Sequence, residues 1–227
     1  MCYLFSELKP KMAVQMLPGL PAYVLFMMVR YTDHVNNDTM VRSLIQNAIG
    51  TIKRAVKKKG ANNIEMKVMW LSNLLRFLNN LDQYSGEERF SKFGTQKQVE
   101  HSLRNFDLSE YRRVINDVCI WIYNGVTKLM EEEVQPFLVP AIIEHEGIGL
   151  GGAPSHEATL QVSSERRTSI GMSYVDPKEA LDKLLHLLNR FNSIFQKHGL
   201  DPQLISKIFR EAFYFVCAGS LNNILLR

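Results

Sequence analysis

Acidic and nucleophilic side chains occur throughout this chain of 227 residues, but their spacing matches no catalytic motif. A nucleotide-hydrolysing loop ends in Gly-Lys-Ser or Gly-Lys-Thr, because the lysine and the hydroxyl bind phosphate and Mg²⁺, and neither tripeptide occurs. The Gly-x-Ser-x-Gly turn that presents a nucleophilic serine is also missing from the sequence. Nothing in the sequence pairs or desolvates the carboxylates of residues 87–88 and 131–133 as a general acid and base require. We therefore expect no catalytic residue and interpret the chain as a non-enzyme.

Histidine and cysteine spacing predicts neither a metal site nor a cofactor. Zinc proteases place two histidines one helical turn apart, whereas His145 stands alone between two glutamates. His186 and His198 are too far apart along one helix to share an ion. The cysteines are widely separated and odd in number, which fits neither a disulfide framework nor a cluster of thiolate ligands. We expect no metal and no cofactor, and we expect Cys119 and Cys217 to be buried.

One motif does carry specific chemistry. In Arg166-Arg167-Thr168-Ser169 an arginine precedes the serine by three residues, a pattern that basophilic kinases recognise. A phosphate on Ser169 would add about two negative charges beside the arginines and could order or undock the segment. Residues 147–175 are rich in Gly, Ser, Thr and charge, so they cannot bury enough apolar surface to become ordered. The pattern predicts a flexible loop phosphorylated at Ser169 or Thr168, with an unmodified loop as the alternative, because such short patterns also arise by chance.

The net charge of +4 and the pI near 8.9 are too small to indicate a nucleic-acid-binding surface. The densest basic cluster comprises Lys53, Arg54, Lys57, Lys58 and Lys59, at the end of a helical pattern just before a glycine. Cations there complement the negative end of the helix dipole. That structural role is our first interpretation, contact with an acidic protein is the second, and binding of nucleic acid or anionic lipid is the least favoured.

Hydrophobic spacing predicts an all-α protein without a membrane span. A spanning helix needs roughly 18 uninterrupted apolar residues, and the richest run, residues 20–29, stops at Arg30. The first residues lack the basic region of a signal peptide, so we expect a cytoplasmic protein. Apolar residues recur at three- and four-residue spacing almost everywhere, and alternation of the strand type is nearly absent.

Five helices and their caps can be placed along the chain. The first covers residues 22–36 and is apolar nearly all round, as expected of a helix buried on several sides. The second starts at Asp38 as its N-cap and ends at Gly60. The pair Asp107 and Glu110 indicates a capping-box start of a long helix that is kinked or broken near residues 136–140, where two prolines occur. The sequences Asp-Pro at 176–177 and 201–202 are typical helix starts and bracket a helical hairpin.

A helix over residues 63–81 carries two apolar stripes, and one of them could face a partner. We predict an adaptor-binding groove whose wall is formed by one stripe, with three lysines steering acidic partners. The wall residues are Trp70, Leu74, Phe77 and Leu81, and the lysines are Lys57, Lys58 and Lys59. The alternative is that both stripes pack inside the same domain, since large bundles often bury helices on two sides.

The composition divides the chain into three parts. We expect a first helical subdomain over residues 1–146, the flexible loop over 147–175 and the start of a second helical subdomain over 176–227. The last helix is apolar on most sides and is expected to present Phe213, Phe215, Val216, Leu221 and Leu225 to a neighbour. We therefore expect the natural polypeptide to continue past residue 227, so that the second subdomain is incomplete.

Several long strings, in the same order, resemble the globular tail of class V myosins. They are MLPGLPAYVLFMMVRYTDH at residues 16–34, WLSN at 70–73, QYSGEE at 83–88 and NFDLSEYR at 105–112. The segment from HGLDP at 198–202 to LNNILLR at 221–227 is similar to that family too. The resemblance covers essentially the whole chain, and a loop phosphorylated in relatives corresponds to residues 166–169.

The resemblance implies a dilute-type (DIL) domain, an elongated helical bundle in two subdomains that docks cargo adaptors for vesicle and organelle transport. It also implies Rab-type GTPases and the motor head of the same myosin as partners, with surfaces that would be incomplete here. Actin and ATP would bind only the missing head. The alternatives are a DIL-domain scaffold of cell junctions or of small-GTPase signalling, and a GTPase regulator that inserts Arg112 or Arg113. We expect no nucleic acid and no direct membrane insertion.

Overall fold

The computed structural model describes residues 5–85, 95–97, 102–103, 105–144 and 176–226. Over these ranges the secondary structure is helical, without strands, as predicted. Seven α-helices are named here: α1 Pro10–Gln15, α2 Leu20–His34, α3 Asp38–Lys59, α4 Ile64–Gln83, α5 Ser109–Val134, α6 Pro177–Lys197 and α7 Pro202–Leu225. A 3₁₀ turn, Gln135–Phe137, and a π-helix, Leu138–Ile143, follow α5 at the two prolines, as the sequence indicates.

The residues form two compact units, and each unit consists of two segments that are separated along the chain. Unit 1 consists of Met1–Leu129 and Asn192–Ile208, and unit 2 of Met130–Phe191 and Phe209–Arg227. The predicted subdomain boundary at 147–175 lies outside the described residues and stays a prediction.

Helix α2 starts two residues earlier than predicted, because Gly19 adopts a left-handed φ of 77° and Pro21 lies in the first turn. Its core face is buried, with Leu25, Phe26 and Val29 at most 4% exposed. The prediction of burial on several sides is wrong, since Tyr23 is 55% and Tyr31 is 60% exposed. Helix α2 therefore has one buried face and one exposed face, although its sequence is apolar nearly all round.

Side-chain caps define the N-terminal ends of the next two helices. Asn37, not Asp38 as predicted, caps α3, because its side chain accepts the backbone N–H of Met40 at 2.9 Å. Asp38 instead forms an exposed ion pair of 2.8 Å with Arg42. Asn63 caps α4 in the same way. The apolar residues that recur along α3 at three- and four-residue spacing are buried, and they are Val41, Leu44, Ile45, Ala48, Ile49, Ile52 and Val56.

Helix α5 begins at a cap made by Asp107. The backbone N–H and the hydroxyl of Ser109 donate to its carboxylate at 2.9 and 3.0 Å, and these two bonds lower the pKa of Asp107. The apolar face of α5 is buried at Ile115, Val118, Ile122, Val126 and Leu129. Asn105 donates from its backbone and its side chain to Asp33 at 3.0 and 2.6 Å, which ties this start to the end of α2.

The predicted cysteine burial is half right. Cys119 on α5 is 4% exposed, whereas Cys217 on α7 is exposed. Cys217 lies on a part of α7 where Phe213 and Tyr214 are also exposed, at 51% and 77%. The apolar sequence around Cys217 therefore does not signal burial.

Within unit 2, small residues allow close packing. A Cβ on Gly219 would lie 2.7 Å from the side chain of Leu138, so α7 approaches the π-helix at a residue without a side chain. Arg190 forms an ion pair with Glu133. The buried residues of this unit include Leu138, Ala141, Ala180, Leu184 and Phe191.

Candidate docking surface

The four predicted wall residues lie in the core of unit 1. Trp70, Phe77 and Leu81 are 1% exposed, and Leu74 is 2% exposed. The ring of Phe5 stacks on the indole of Trp70 with 6.0 Å between ring centroids. This is the packing that the alternative interpretation described, and a partner can contact these side chains only if Phe5 moves away.

The predicted steering lysines are exposed in the last turn of α3, where they complement the helix dipole. Lys59 also binds the N-terminal segment, since its ammonium group donates to the carbonyl oxygen of Ser6 at 3.0 Å and to Glu7 at 3.1 Å. Lys57 and Lys58 are exposed on the same turn. The cationic charge is thus accessible and already attracts a carboxylate from within the chain.

The remaining predicted site residues separate into two groups. Thr168 and Ser169 lie outside the described residues. Arg112 forms an ion pair of 3.0 Å with Asp82, and its side chain is only 11% exposed. Arg112 is therefore occupied in joining α5 to α4, and Arg113 beside it is exposed.

A groove of about 1310 Å³ opens on unit 1 where three parts of the chain meet. They are the turn before α2, the middle of α4 and the turn between α6 and α7. The lining residues are Leu17, Pro18, Gly19, Leu20, Tyr23, Ser72, Leu75, Arg76, Asn79, Asn80, Gly199, Leu200, Asp201, Pro202, Gln203, Leu204 and Lys207.

Two glycines with positive φ shape this groove. Gly19 has φ 77°, and a Cβ there would lie 2.2 Å from Cδ of Arg76, so the arginine side chain crosses the turn directly over the glycine. Gly199 has φ 64°, and a Cβ there would lie 3.7 Å from a guanidinium nitrogen of the same arginine. A side chain at Gly19 would force Arg76 to move, and a side chain at either glycine would strain the backbone at its positive φ.

Hydrogen bonds hold the turn between α6 and α7 against α4. The hydroxyl of Ser72 donates to the carbonyl oxygens of His198 and Gly199 at 2.8 and 3.2 Å. Asp201 caps α7 by accepting the backbone N–H of Gln203 at 2.8 Å. Burial lowers the pKa of His198, so its imidazole favours the neutral form.

The groove combines apolar walls with a cationic rim. Leu17 is 75% exposed and Tyr23 is 55% exposed, while Leu20, Leu75 and Leu204 are half-buried. Arg76 and Lys207 are exposed cations, and Asp201 supplies one carboxylate. The ammonium group of Lys207 lies 5.2 Å from the ring centroid of Tyr123, which directs this side chain.

An exposed apolar stripe continues from the groove along α2. Tyr23, Met27, Tyr31 and Val35 follow each other at four-residue spacing and are 55%, 39%, 60% and 48% exposed. Side chains at this spacing lie on one face of a helix. Tyrosine and methionine are enriched in protein interfaces, where they supply large contact areas.

Among the residues that the structure describes, no group of three or more His, Cys, Asp or Glu is arranged to hold a metal ion. Within the same ranges, no helix has the length and apolar character needed to cross a membrane.

Nothing in the sequence indicates that the turns at Pro18-Gly19 and His198-Gly199 meet. The two turns lie about 180 positions apart along the chain, on the order of the length of a domain. No local sequence pattern can indicate such a contact. The available signal was the glycine at each turn, since glycine permits tight turns and a close approach of the backbone to another element.

No protein-family model matches the chain. Human unconventional myosin-Va is 45% identical to it over 227 residues, human unconventional myosin-Vb 40% over 225, and human unconventional myosin-Vc 39% over 226. Each alignment covers 99% of this chain but 12% of the relative. The resemblance drawn from the sequence strings is thereby confirmed, and the chain is a homologue of a segment of the class V unconventional myosins, consistent with part of their tail.

Proposed function

We propose that this chain is a docking segment for cargo-adaptor polypeptides in an actin-based transport motor, without catalytic activity of its own. The observation that carries the proposal is the groove of unit 1 together with the exposed stripe on α2, in a homologue of the class V myosins. The groove therefore replaces the buried Trp70 stripe as the proposed docking surface.

The form of the surface favours a helical or extended partner segment. An amphipathic helix laid along α2 would contact Tyr23, Met27 and Tyr31 with apolar residues at three- and four-residue spacing. Its end, or an extended continuation, would enter the groove beside Leu17 and Leu75. Aromatic and large aliphatic anchors of this kind supply most of the affinity of a typical interface.

The charge of the rim favours an acidic partner segment. Arg76 and Lys207 lie on the rim, and the chain carries a net charge of +4. Cations at the edge of an interface mainly increase the association rate and select against basic partners. We extend the proposal to a cytoplasmic location on cytoskeleton and vesicles, and to Rab-type GTPases and the motor head as further partners of the parent protein.

The test measures the affinity of fluorescently labelled segments of class V myosin cargo adaptors for the intact chain and for surface variants. Tyr23→Ala and Leu17→Ser change exposed side chains in the proposed surface, and we expect each to weaken binding by about tenfold or more. Tyr214→Ala is the matched control, because Tyr214 is a 77% exposed tyrosine of unit 2. Its affinity should equal that of the unmodified chain.

A charge variant tests the rim separately. Arg76→Glu should weaken binding and reduce its dependence on salt, whereas Arg113→Glu, an exposed arginine outside the groove, should change neither. Equal affinities for all five variants and the unmodified chain would contradict the proposed surface. Binding that is lost in Tyr214→Ala alone would place the adaptor on unit 2.

A further inference from the structure

Trp70, one of the residues that the sequence marked as an adaptor site, is covered by the chain's own N-terminal segment. We define residues 5–8 as the N-terminal strap. Phe5 is 3% exposed and stacks on Trp70 with an interplanar angle of 26°, and Leu8 is 7% exposed. An aromatic anchor from one end of the chain thus occupies the surface of the Trp70 stripe.

Beneath Phe5 lies an apolar cleft that this ring closes. Only about 10 Å³ of empty space remains in it, less than one water molecule needs. Removal of the Phe5 ring would leave a site of aromatic size in the core of unit 1. The other residues around it are Pro21, Ala22, Leu25, Ile52, Trp70, Asn73, Leu74 and Phe77.

The polar attachment of the strap is weak by comparison. Glu7 and Lys59 pair at 3.1 Å with half of each side chain exposed, and exposed pairs of this kind contribute little to stability. The second bond from Lys59, to the carbonyl oxygen of Ser6, is also exposed. A short segment that is anchored by two buried side chains, Phe5 and Leu8, can open locally without global unfolding.

One buried polar group remains without a partner under the strap. The indole Nε1 of Trp70 has no hydrogen-bond partner among the residues that the structure describes. A buried N–H that lacks an acceptor is destabilised relative to one that has it. A ligand that placed a carbonyl oxygen against this nitrogen would gain a bond that the strap does not form.

From these contacts we infer that the cleft under Phe5 is a second peptide-binding site, occupied in cis by the strap. It takes a partner segment with an aromatic residue followed two positions later by a carboxylate, the pattern of Phe5 and Glu7. The aromatic ring replaces Phe5 on Trp70, and the carboxylate replaces Glu7 at Lys59. The inference rests on the proposed docking function for its partner class, but the site is separate from the groove.

The probe is a fluorescein-labelled peptide of residues 3–12, which carries the strap sequence. The protein is the intact chain with Trp121→Phe, so that Trp70 is the one remaining tryptophan of the two in the sequence. In the additional variant Phe5→Ala we expect the Trp70 emission to shift to longer wavelength and acrylamide quenching to increase. Adding the peptide should reverse both changes, while a peptide with Ala in place of its Phe should bind about 30-fold more weakly or not at all.

A second variant covers the case in which Phe5→Ala fails to fold. Lys59→Glu changes only an exposed side chain, and we expect it to increase Trp70 quenching by releasing the strap. Lys58→Glu, one residue earlier on the same exposed turn, is the matched control and should not. Glu7→Lys combined with Lys59→Glu should restore the low quenching.

Three results would overturn the inference. The first is a folded Phe5→Ala protein that does not bind the peptide. The second is Trp70 quenching that responds equally to Lys58→Glu and Lys59→Glu. The third is a concentration-dependent dimer of the unmodified chain that disappears in Phe5→Ala, because the cleft would then take the strap of a second copy. None of these depends on adaptor binding at Tyr23, so the site and the proposed function can fail independently.

Discussion

The hydroxyl of Ser72 on α4 donates a 2.8 Å hydrogen bond to the carbonyl oxygen of His198, 126 residues further along the chain. It also lies 3.2 Å from the carbonyl oxygen of Gly199, so one buried side chain serves two carbonyls at the end of α6. The last carbonyls of a helix have no partner within it. Ser72 therefore provides that partner and at the same time fixes one wall of the groove.

Removing this hydroxyl should destabilise the protein. We expect Ser72→Ala to lower the free energy of unfolding by about 1–3 kcal/mol, because a buried carbonyl would lose its donor. Ser206→Ala is the control, since the Ser206 hydroxyl bonds to Pro202 within its own helix and is exposed. Urea unfolding followed by circular dichroism measures both, and equal effects of the two substitutions would contradict the role given to Ser72.

Burial of His198 should make the protein less stable in acid. Its pKa is lowered from 6.5, first by burial and then by Lys197, against an opposing effect of Glu65. The unfolded chain therefore binds a proton before the folded one, so this contribution to stability is complete above about pH 6.5 and decreases as the pH falls below it. Unfolding at a series of pH values should show this slope, and His198→Gln should reduce it. An unchanged slope in His198→Gln would rule out this histidine as its source.

The cysteines should differ in reactivity. Burial raises the pKa of Cys119 to about 12, so its thiolate is scarce at pH 8 and shielded from reagents. Cys217 is exposed. Iodoacetamide followed by peptide mapping should modify Cys217 in the native protein and Cys119 only after denaturant is added. Rapid modification of native Cys119 would show that α5 opens readily.

The exposed apolar residues of α7 should cause self-association. Phe213, Leu221, Ile224 and Leu225 are 51%, 56%, 57% and 73% exposed, which exceeds the scattered exposure of single apolar residues. We expect the mass from light scattering to increase with concentration, and Phe213→Lys combined with Leu221→Lys to suppress the increase. A monodisperse, unmodified monomer across the concentration range would contradict this expectation.

Local chemistry made most of the helices predictable. Asp201 and Pro202 start α7 as the sequence indicates, because the side chain and the fixed φ act within three residues. The same rule misplaced the cap of α3 by one residue, since Asn37 and Asp38 are both good caps and only the backbone decides between them. The apolar periodicity of α3 predicted its buried face correctly.

Long-range contacts were not predictable from one sequence. Trp70 and Leu74 were candidate groove residues because α4 carries two stripes, but Phe5 covers one of them. Tyr23 and Tyr31 were expected to be buried on an apolar helix, yet they are 55% and 60% exposed among the residues of unit 1 that the structure describes. In both cases the apolar character of the side chain was evident from the sequence. Whether that side chain is buried depends on contacts between distant parts of the chain, which the sequence does not show.

The most direct test of the docking account is amide hydrogen exchange of the intact chain, with and without a bound cargo-adaptor segment. We predict slower exchange on binding in two separate stretches, residues 17–31 and 199–207, which line the groove and the α2 stripe. Residues 213–225 of unit 2 should be unaffected. Protection confined to unit 2, or no change at residues 17–31 when the adaptor is saturating, would contradict the account.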